Sequence, residues 1–223
     1  MSQNAIPAGP PSNATAKDVA TRIAEHSLAK RGEEYASEVR RLLDAALEVI
    51  RECGTDSRPR VADIVAAAGL SNEAFYRHFP SKDALVAALL QDGTDRLASY
   101  LRHQMGKDAR PEAQVRRWVE GVLSQTRKEI AATTLAVLWN GGSVGAGGRH
   151  NASEPLGGLL HKPFAALGSA HPEMDASLVA HAALGKVSDY LWAGRTPTRA
   201  EIDEIVDFCL AVATRRTGGS PGR

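Results

Sequence analysis

The sequence predicts an all-α chain, an N-terminal three-helix helix-turn-helix head joined to a helical body. Three observations predict it. Apolar residues recur at helical spacing from the first helix near Arg41 to the last stripe ending at Ala213. Between Val61 and Phe79 a short apolar helix, a glycine and a second short helix ending in aromatics follow in order, the plan of a helix-turn-helix. Two long apolar stripes close the chain, parted only by Gly194 and Pro197, a turn short enough to fold them antiparallel.

The first 32 residues are polar, with Pro7, Pro10 and Pro11 breaking any early helix, and are expected to form a flexible or disordered tail. Lys17, Arg22, Lys30 and Arg31 could make that tail a basic arm. The head spans residues 33–81, the body 82–216, and residues 217–223 are a second flexible tail. Arg41 to Ile50 forms the head's first helix. In the second, Val61, Ile64, Val65 and Ala68 line one face. Its N-cap falls among Asp56, Ser57 and Arg58, with Pro59 acceptable in the first turn. Gly69 ends it where positive φ is needed. Leu70 sits between the helices, and Ser71 caps the third. Phe75 and Phe79, at i and i+4, face inward, leaving Asn72, Tyr76 and Arg77 outward.

These residues carry a resemblance. Ala68-Gly69-Leu70-Ser71, Phe75-Tyr76-Arg77-His78-Phe79 and Ser81-Lys82-Asp83-Ala84-Leu85 resemble the DNA-binding signature of TetR-family transcriptional regulators, over roughly residues 36–90. The resemblance implies that Tyr76 and Lys82 contact phosphates. It implies that Asn72, Glu73, Ala74 and Arg77 approach bases or phosphates, with Ser71 and His78 beside them. Two departures stand out. Glu73 occupies a position where the family often has a small residue, and its carboxylate either serves the helix dipole or accepts from a cytosine amino group. Arg58 and Arg60 replace hydroxyl residues and are candidate phosphate contacts.

Charge sets a limit. The net charge of the chain is +1, and residues 33–85 hold seven Lys/Arg against ten Asp/Glu. A strongly basic footprint is therefore absent, and the folded head alone should have modest non-specific affinity for DNA. Cys53 and Cys209 lie far apart, each in or at the end of an apolar stripe, so reduced cytoplasmic thiols fit better than a disulfide. No segment has signal-peptide or membrane-spanning character.

In the body, a helix from Lys82 to His103 leads away from the head, with Gly93 weakening its middle. Pro111 opens the next, which carries the stripe Val115, Trp118, Val119, Val122 and Leu123. Ile130 to Trp139 is nearly all apolar and is expected to be buried on most sides. Gly141 to Gly148 lacks both the preceding strand and the Lys of a phosphate-cradling loop, so it reads as a loop of the kind that borders ligand sites. Ala180, Leu184, Val187 and Leu191 form the first closing stripe. Ile202, Ile205, Val206, Cys209 and Leu210 form the second, after a Thr198-Arg199-Ala200-Glu201 capping box. The resemblance implies that these two helices pair with those of a second subunit.

No catalytic or metal constellation appears. His150, His161, His171 and His181 are ten or eleven residues apart and share no metal-binding face. No cofactor is expected. Tyr100, His103, Trp118, Val122, Trp139 and Phe164 are the candidate lining of an effector pocket, with Thr133, Thr134 and His181 as nearby polar partners. The expected function is a homodimeric, ligand-responsive repressor that binds a palindromic DNA operator and leaves it when a small, largely apolar effector binds. The alternative is an all-helical carrier or enzyme with a vestigial head.

Overall fold

The structure is a computed structural model that describes residues 18–141 and 152–215. Among these, every element is helical. The chain divides into two units, one ending at Arg40 and one running from Arg41.

The first unit holds the N-terminal part of α1 (Val19–Cys53). This corrects the expected tail: residues 19–32 are helical, and only 1–17 of it lie outside the described residues. The reason is compositional. The three prolines all precede residue 12, and from Val19 on the chain is rich in Ala, Glu, Lys, Arg and Leu, which favour helix. Val19, Ile23, Leu28 and Tyr35 are exposed on it.

The second unit begins with the rest of α1, where Leu42, Ala46 and Ile50 are fully buried. With α2 (Val61–Ala68) and α3 (Asn72–His78) they build the head, joined by fully buried Ile64 and Phe75. Each such side chain contributes roughly 1.5–3 kcal/mol when taken from water. The second helix is not capped as expected: its N-cap is Arg60, without a side-chain cap, and Arg60 instead pairs with Asp63 at 3.0 Å.

Helix α4 (Lys82–Met105) carries the chain into the body and is followed by α5 (Pro111–Leu123) and a 3₁₀ turn at Ser124–Thr126. Then come α6 (Lys128–Gly141), the short α7 (Ser153–Gly157) and α8 (His161–Ala166), and the closing pair α9 (Pro172–Trp192) and α10 (Arg199–Ala213). The body core centres on Trp118. It is fully buried, and its indole N–H donates to the Leu156 carbonyl at 2.8 Å, so the ring is packed and satisfied at once. Gly121, one turn on, faces Leu101 so closely that a Cβ would collide with its side chain. Helix α6 departs from expectation. Ala136, Val137 and Asn140 are buried, but Ile130, Leu138 and Trp139 are exposed, so it covers the body with one face only. No helix among the described residues is long and apolar enough to cross a membrane.

The turn between α9 and α10 is tightly made. Gly194 takes φ 63°, and the capping box forms, Glu201 N–H donating to Thr198 Oγ1 at 3.3 Å and Thr198 N–H to Glu201 Oε2 at 2.8 Å. Arg195 donates to both Glu201 oxygens, at 2.8 and 3.0 Å, and stacks over Tyr190. The Arg195 guanidinium, and after it the Thr198 N–H, hold the Glu201 carboxyl at about 2. A depressed carboxyl contributes its stability fully above the ordinary value of 4.5 and loses it as pH falls toward 2. Glu201→Gln should therefore lower Tm at pH 7, and the gap to the native chain should close on acidification from about pH 4.5 to 2. Circular-dichroism melts across that range check it.

Candidate nucleic-acid interface and effector cavity

The turn between α2 and α3 fixes the presentation of α3. Gly69 takes φ 62°, ψ 39°, the left-handed conformation that costs other residues roughly 1–2 kcal/mol. Leu70 N–H then returns to the Val65 carbonyl at 2.9 Å. From α1, Arg41 donates Nε and Nη2 to the Ala68 carbonyl, at 3.1 and 2.6 Å, and Nη2 to the Gly69 carbonyl at 3.0 Å. The guanidinium thus occupies carbonyls that the end of α2 leaves unmatched. Sequence reading gave Arg41 no role; its only signal was a long cation directly before the buried stripe that begins at Leu42.

Ser71 caps α3, its Oγ accepting from Ala74 N–H at 3.1 Å. Phe75 and Phe79 are buried with ring centroids 5.9 Å apart, which turns the opposite face to solvent. Asn72, Glu73 and Arg77 are exposed, and Tyr76 is 58% exposed, its ring edge-on to Phe75. Ala74 is buried against the head core, which corrects its assignment to the DNA face: it stands one residue before Phe75, on the inward side. His78 is half-buried at the C-terminal end of α3. Lys82 opens α4 half-buried, donating to the Pro59 carbonyl at 3.3 Å, which ties α4 to the segment before α2. Arg58 and Arg60 are exposed on that segment.

Two adjoining cavities lie in the second unit, of about 320 and 950 Å³. The smaller is walled by Leu89 and Leu90 of α4, Val137 and Leu138 of α6, Leu156 of α7 and Leu184 of α9. The wider one opens among Asp44, Glu48 and Arg51 of α1, Tyr100 of α4, and Arg127 and Glu129 at the start of α6. Leu47, Gly93, Arg96, Leu97, Gln125, Thr133 and Thr134 border both. Of the proposed lining, only Tyr100 is there. Trp118, Val122 and Phe164 are fully buried in the core and border neither cavity. Trp139 stands outside, edge-on to Trp192 at 5.6 Å, and His103 is exposed. The large rings fill the core, and the cavity is left to aliphatic residues. The glycine-rich segment after Gly141 and His150 lie outside the described residues.

The stripes assigned to a subunit interface are mostly internal. Ala180, Val187, Leu191, Val206 and Cys209 are buried in the body core, with Leu184, Ile202, Ile205 and Leu210 packed against it. Helix α9 is apolar on two faces, and spacing alone selected the inner one. The apolar side chains turned outward on α9 and α10 are Met174 (61% exposed), Leu178 (52%), Trp192 (56%) and Phe208 (51%). The His181 ring bonds Ser153 Oγ and the Ser177 carbonyl. Among the described residues no group of three or more His, Cys, Asp or Glu is placed to hold a metal ion. Burial pushes the Cys209 thiol up to about 12, while Cys53 is half-buried at the end of α1.

Residues 42–89 match the model of the family described as bacterial regulatory proteins, tetR family. A curated relative, the uncharacterized HTH-type transcriptional regulator YvdT of Bacillus subtilis, is 42% identical over 52 residues. That match covers 23% of this chain and about a quarter, 26%, of the relative's length. A solved structure assigned to the TetR family, from Mesorhizobium loti, aligns with TM-score 0.60 at 16% identity, over 80% of this chain and 96% of that one. The fatty acid degradation regulator FadR of Bacillus halodurans aligns with TM-score 0.57 at 17% identity, over 83% and 97%. Those two likenesses concern the fold. The tetR-family model thus matches the head, residues 42–89, and the fold of the chain is similar to that of solved TetR-family regulators.

The clasp on Gly69 is testable without DNA. Arg41→Ala should lower stability by about 1 kcal/mol, a modest figure because the guanidinium is partly solvated. The loss should show as a lower urea midpoint at unchanged m-value.

Proposed function

We propose that the protein is a homodimeric repressor that binds a palindromic operator in the cytoplasm and releases it when a small, largely apolar effector enters the body. The observation that carries this reading is the outward face of α3. Asn72, Glu73, Tyr76 and Arg77 stand exposed on a helix whose other side is anchored by Phe75. A helix so presented fits the major groove. Asn72 and Arg77 are the base-reading candidates, since amide and guanidinium groups match adenine and guanine edges. Tyr76 and Lys82 approach phosphates, with Arg58 and Arg60 flanking them. Ser71 acts through the cap. Glu73 lies in the first turn of α3, where its charge suits the dipole.

Dimerisation is supported by the outward Met174, Leu178, Trp192 and Phe208, large apolar side chains that α9 and α10 leave exposed for a partner to cover. A twofold protein also suits a twofold operator. FadR of Bacillus halodurans is described as a regulator of fatty acid degradation. That description agrees with an apolar effector here, as does the leucine-walled cavity.

Binding to the DNA upstream of the protein's own gene, followed by fluorescence anisotropy across a salt series, tests the head. Lys82→Ala should flatten the slope of log K against log salt by about 0.9, the signature of one lost phosphate contact. Arg77→Ala should relax preference at one symmetric operator position. An unchanged slope for Lys82→Ala, or an unchanged preference for Arg77→Ala, would remove that residue from its assigned role.

The association surface has its own test. Leu178→Glu combined with Phe208→Glu should convert a dimer into a folded monomer in light scattering. Ile205→Glu, which strikes the inner packing, should unfold the chain instead. A wild-type monomer at micromolar concentration would overturn the dimer.

A further inference from the structure

The lining of the two cavities says what kind of molecule they hold. The inner one is walled by leucines and valines, with no aromatic ring among the described residues that line it. Of those described residues the charged ones, Asp92 and Arg96, pair with each other at 2.8 Å. An ionised group placed inside would lose its water and gain no partner, a cost that proteins avoid.

The wider cavity is polar but electrically balanced. Arg51, Arg96 and Arg127 on its lining face Asp44, Glu48 and Glu129. Arg51 is bound to Glu48 and Arg96 to Asp92. With as many carboxylates as guanidinium groups, this lining carries no excess positive charge to hold a carboxylate or phosphate. Arg96, paired with Asp92, borders both spaces, and the other polar groups that do so are neutral: the Gln125 carboxamide and the Thr133 and Thr134 hydroxyls. These groups donate to and accept from an alcohol, ester or amide equally well.

We propose that this cavity binds an uncharged aliphatic amphiphile, its hydrocarbon chain in the leucine-walled space and its polar group at Gln125, Thr133 and Thr134. Leu47 of α1 borders both cavities, so the occupant touches the helix whose Arg41 clasps the end of α2. The ligand class stands on the cavity alone. Its consequence for DNA rests on the regulator reading above.

The test uses the purified full-length protein without DNA. Linear alcohols from hexanol to dodecanol are titrated by calorimetry beside the carboxylates and acyl-CoA thioesters of equal chain length. Alcohol affinity should rise roughly fourfold per methylene until the space is filled, at about 0.8 kcal/mol per group. The charged series should bind at least tenfold more weakly. Gly93 also borders both cavities, and a Cβ built there meets nothing within 4 Å. Gly93→Leu therefore fills the space, removes a helix-weakening residue and should abolish alcohol binding while raising Tm. Thr134→Val, which keeps the shape and removes the hydroxyl, should weaken alcohols about tenfold.

Carboxylates or acyl-CoAs binding as tightly as the alcohols would overturn the proposal. So would the absence of saturable alcohol binding, or a folded Gly93→Leu variant that binds alcohols as the native chain does. Adding operator DNA separates the two readings. Alcohol binding with this profile that leaves operator affinity unchanged upholds the ligand site and overturns the effector reading.

Discussion

The arrangement of the head turns on one backbone conformation and one side chain. Gly69 reverses the chain with φ 62°, and Arg41 holds the two carbonyls that this reversal leaves pointing outward. Neither would suffice alone. A left-handed glycine ends a helix but does not say where the next one points. The guanidinium, fixed on α1 beside buried Leu42, ties that end to the head core. Ser71 then starts α3 two residues later, and Phe75 secures it. The exposed face of α3 is thus the outcome of an internal geometry made before any DNA is present.

The body is built on a different principle. Its core is packed around Trp118, whose indole N–H is satisfied by a backbone carbonyl, while charged groups stay near the surface. Arg116, Arg199, Glu120 and Asp203 link α5 to α10 in a partly exposed cluster, and such clusters add little stability each. Asp175 is the exception. It is buried, and both its oxygens are used, by Ser169 and by Arg215. The last described residue is thereby bound to the first turn of α9.

Legibility in the sequence followed the range of the interactions involved. The head was readable because its signals are local: a glycine, a cap and two aromatics at fixed spacing. The capping box before α10 was readable for the same reason. The faces of α9 were not, because Ala180, Val187 and Leu191 on one side and Leu178 and Trp192 on the other are all apolar, and periodicity does not rank them. The cavity was still less visible. Its walls come from five helices, and the aromatic residues that seemed suited to line it, Trp118 and Phe164, are needed as core filling. The short helices α7 and α8 sit in a stretch rich in glycine and proline, with too few apolar repeats to announce them. The helical start at Val19 was obscured by prolines that belong to an earlier segment.

The two cysteines differ in a way that gives the head a built-in reporter. Cys209 is sealed in the core with its thiol held protonated, whereas Cys53 sits half-open where α1 ends. A maleimide dye applied to the folded native chain will therefore settle on one sulfur, at the edge of the DNA-binding head, with no engineered residue. Its emission can follow the surroundings of the end of α1 while ligand or DNA is added, read from a single atom.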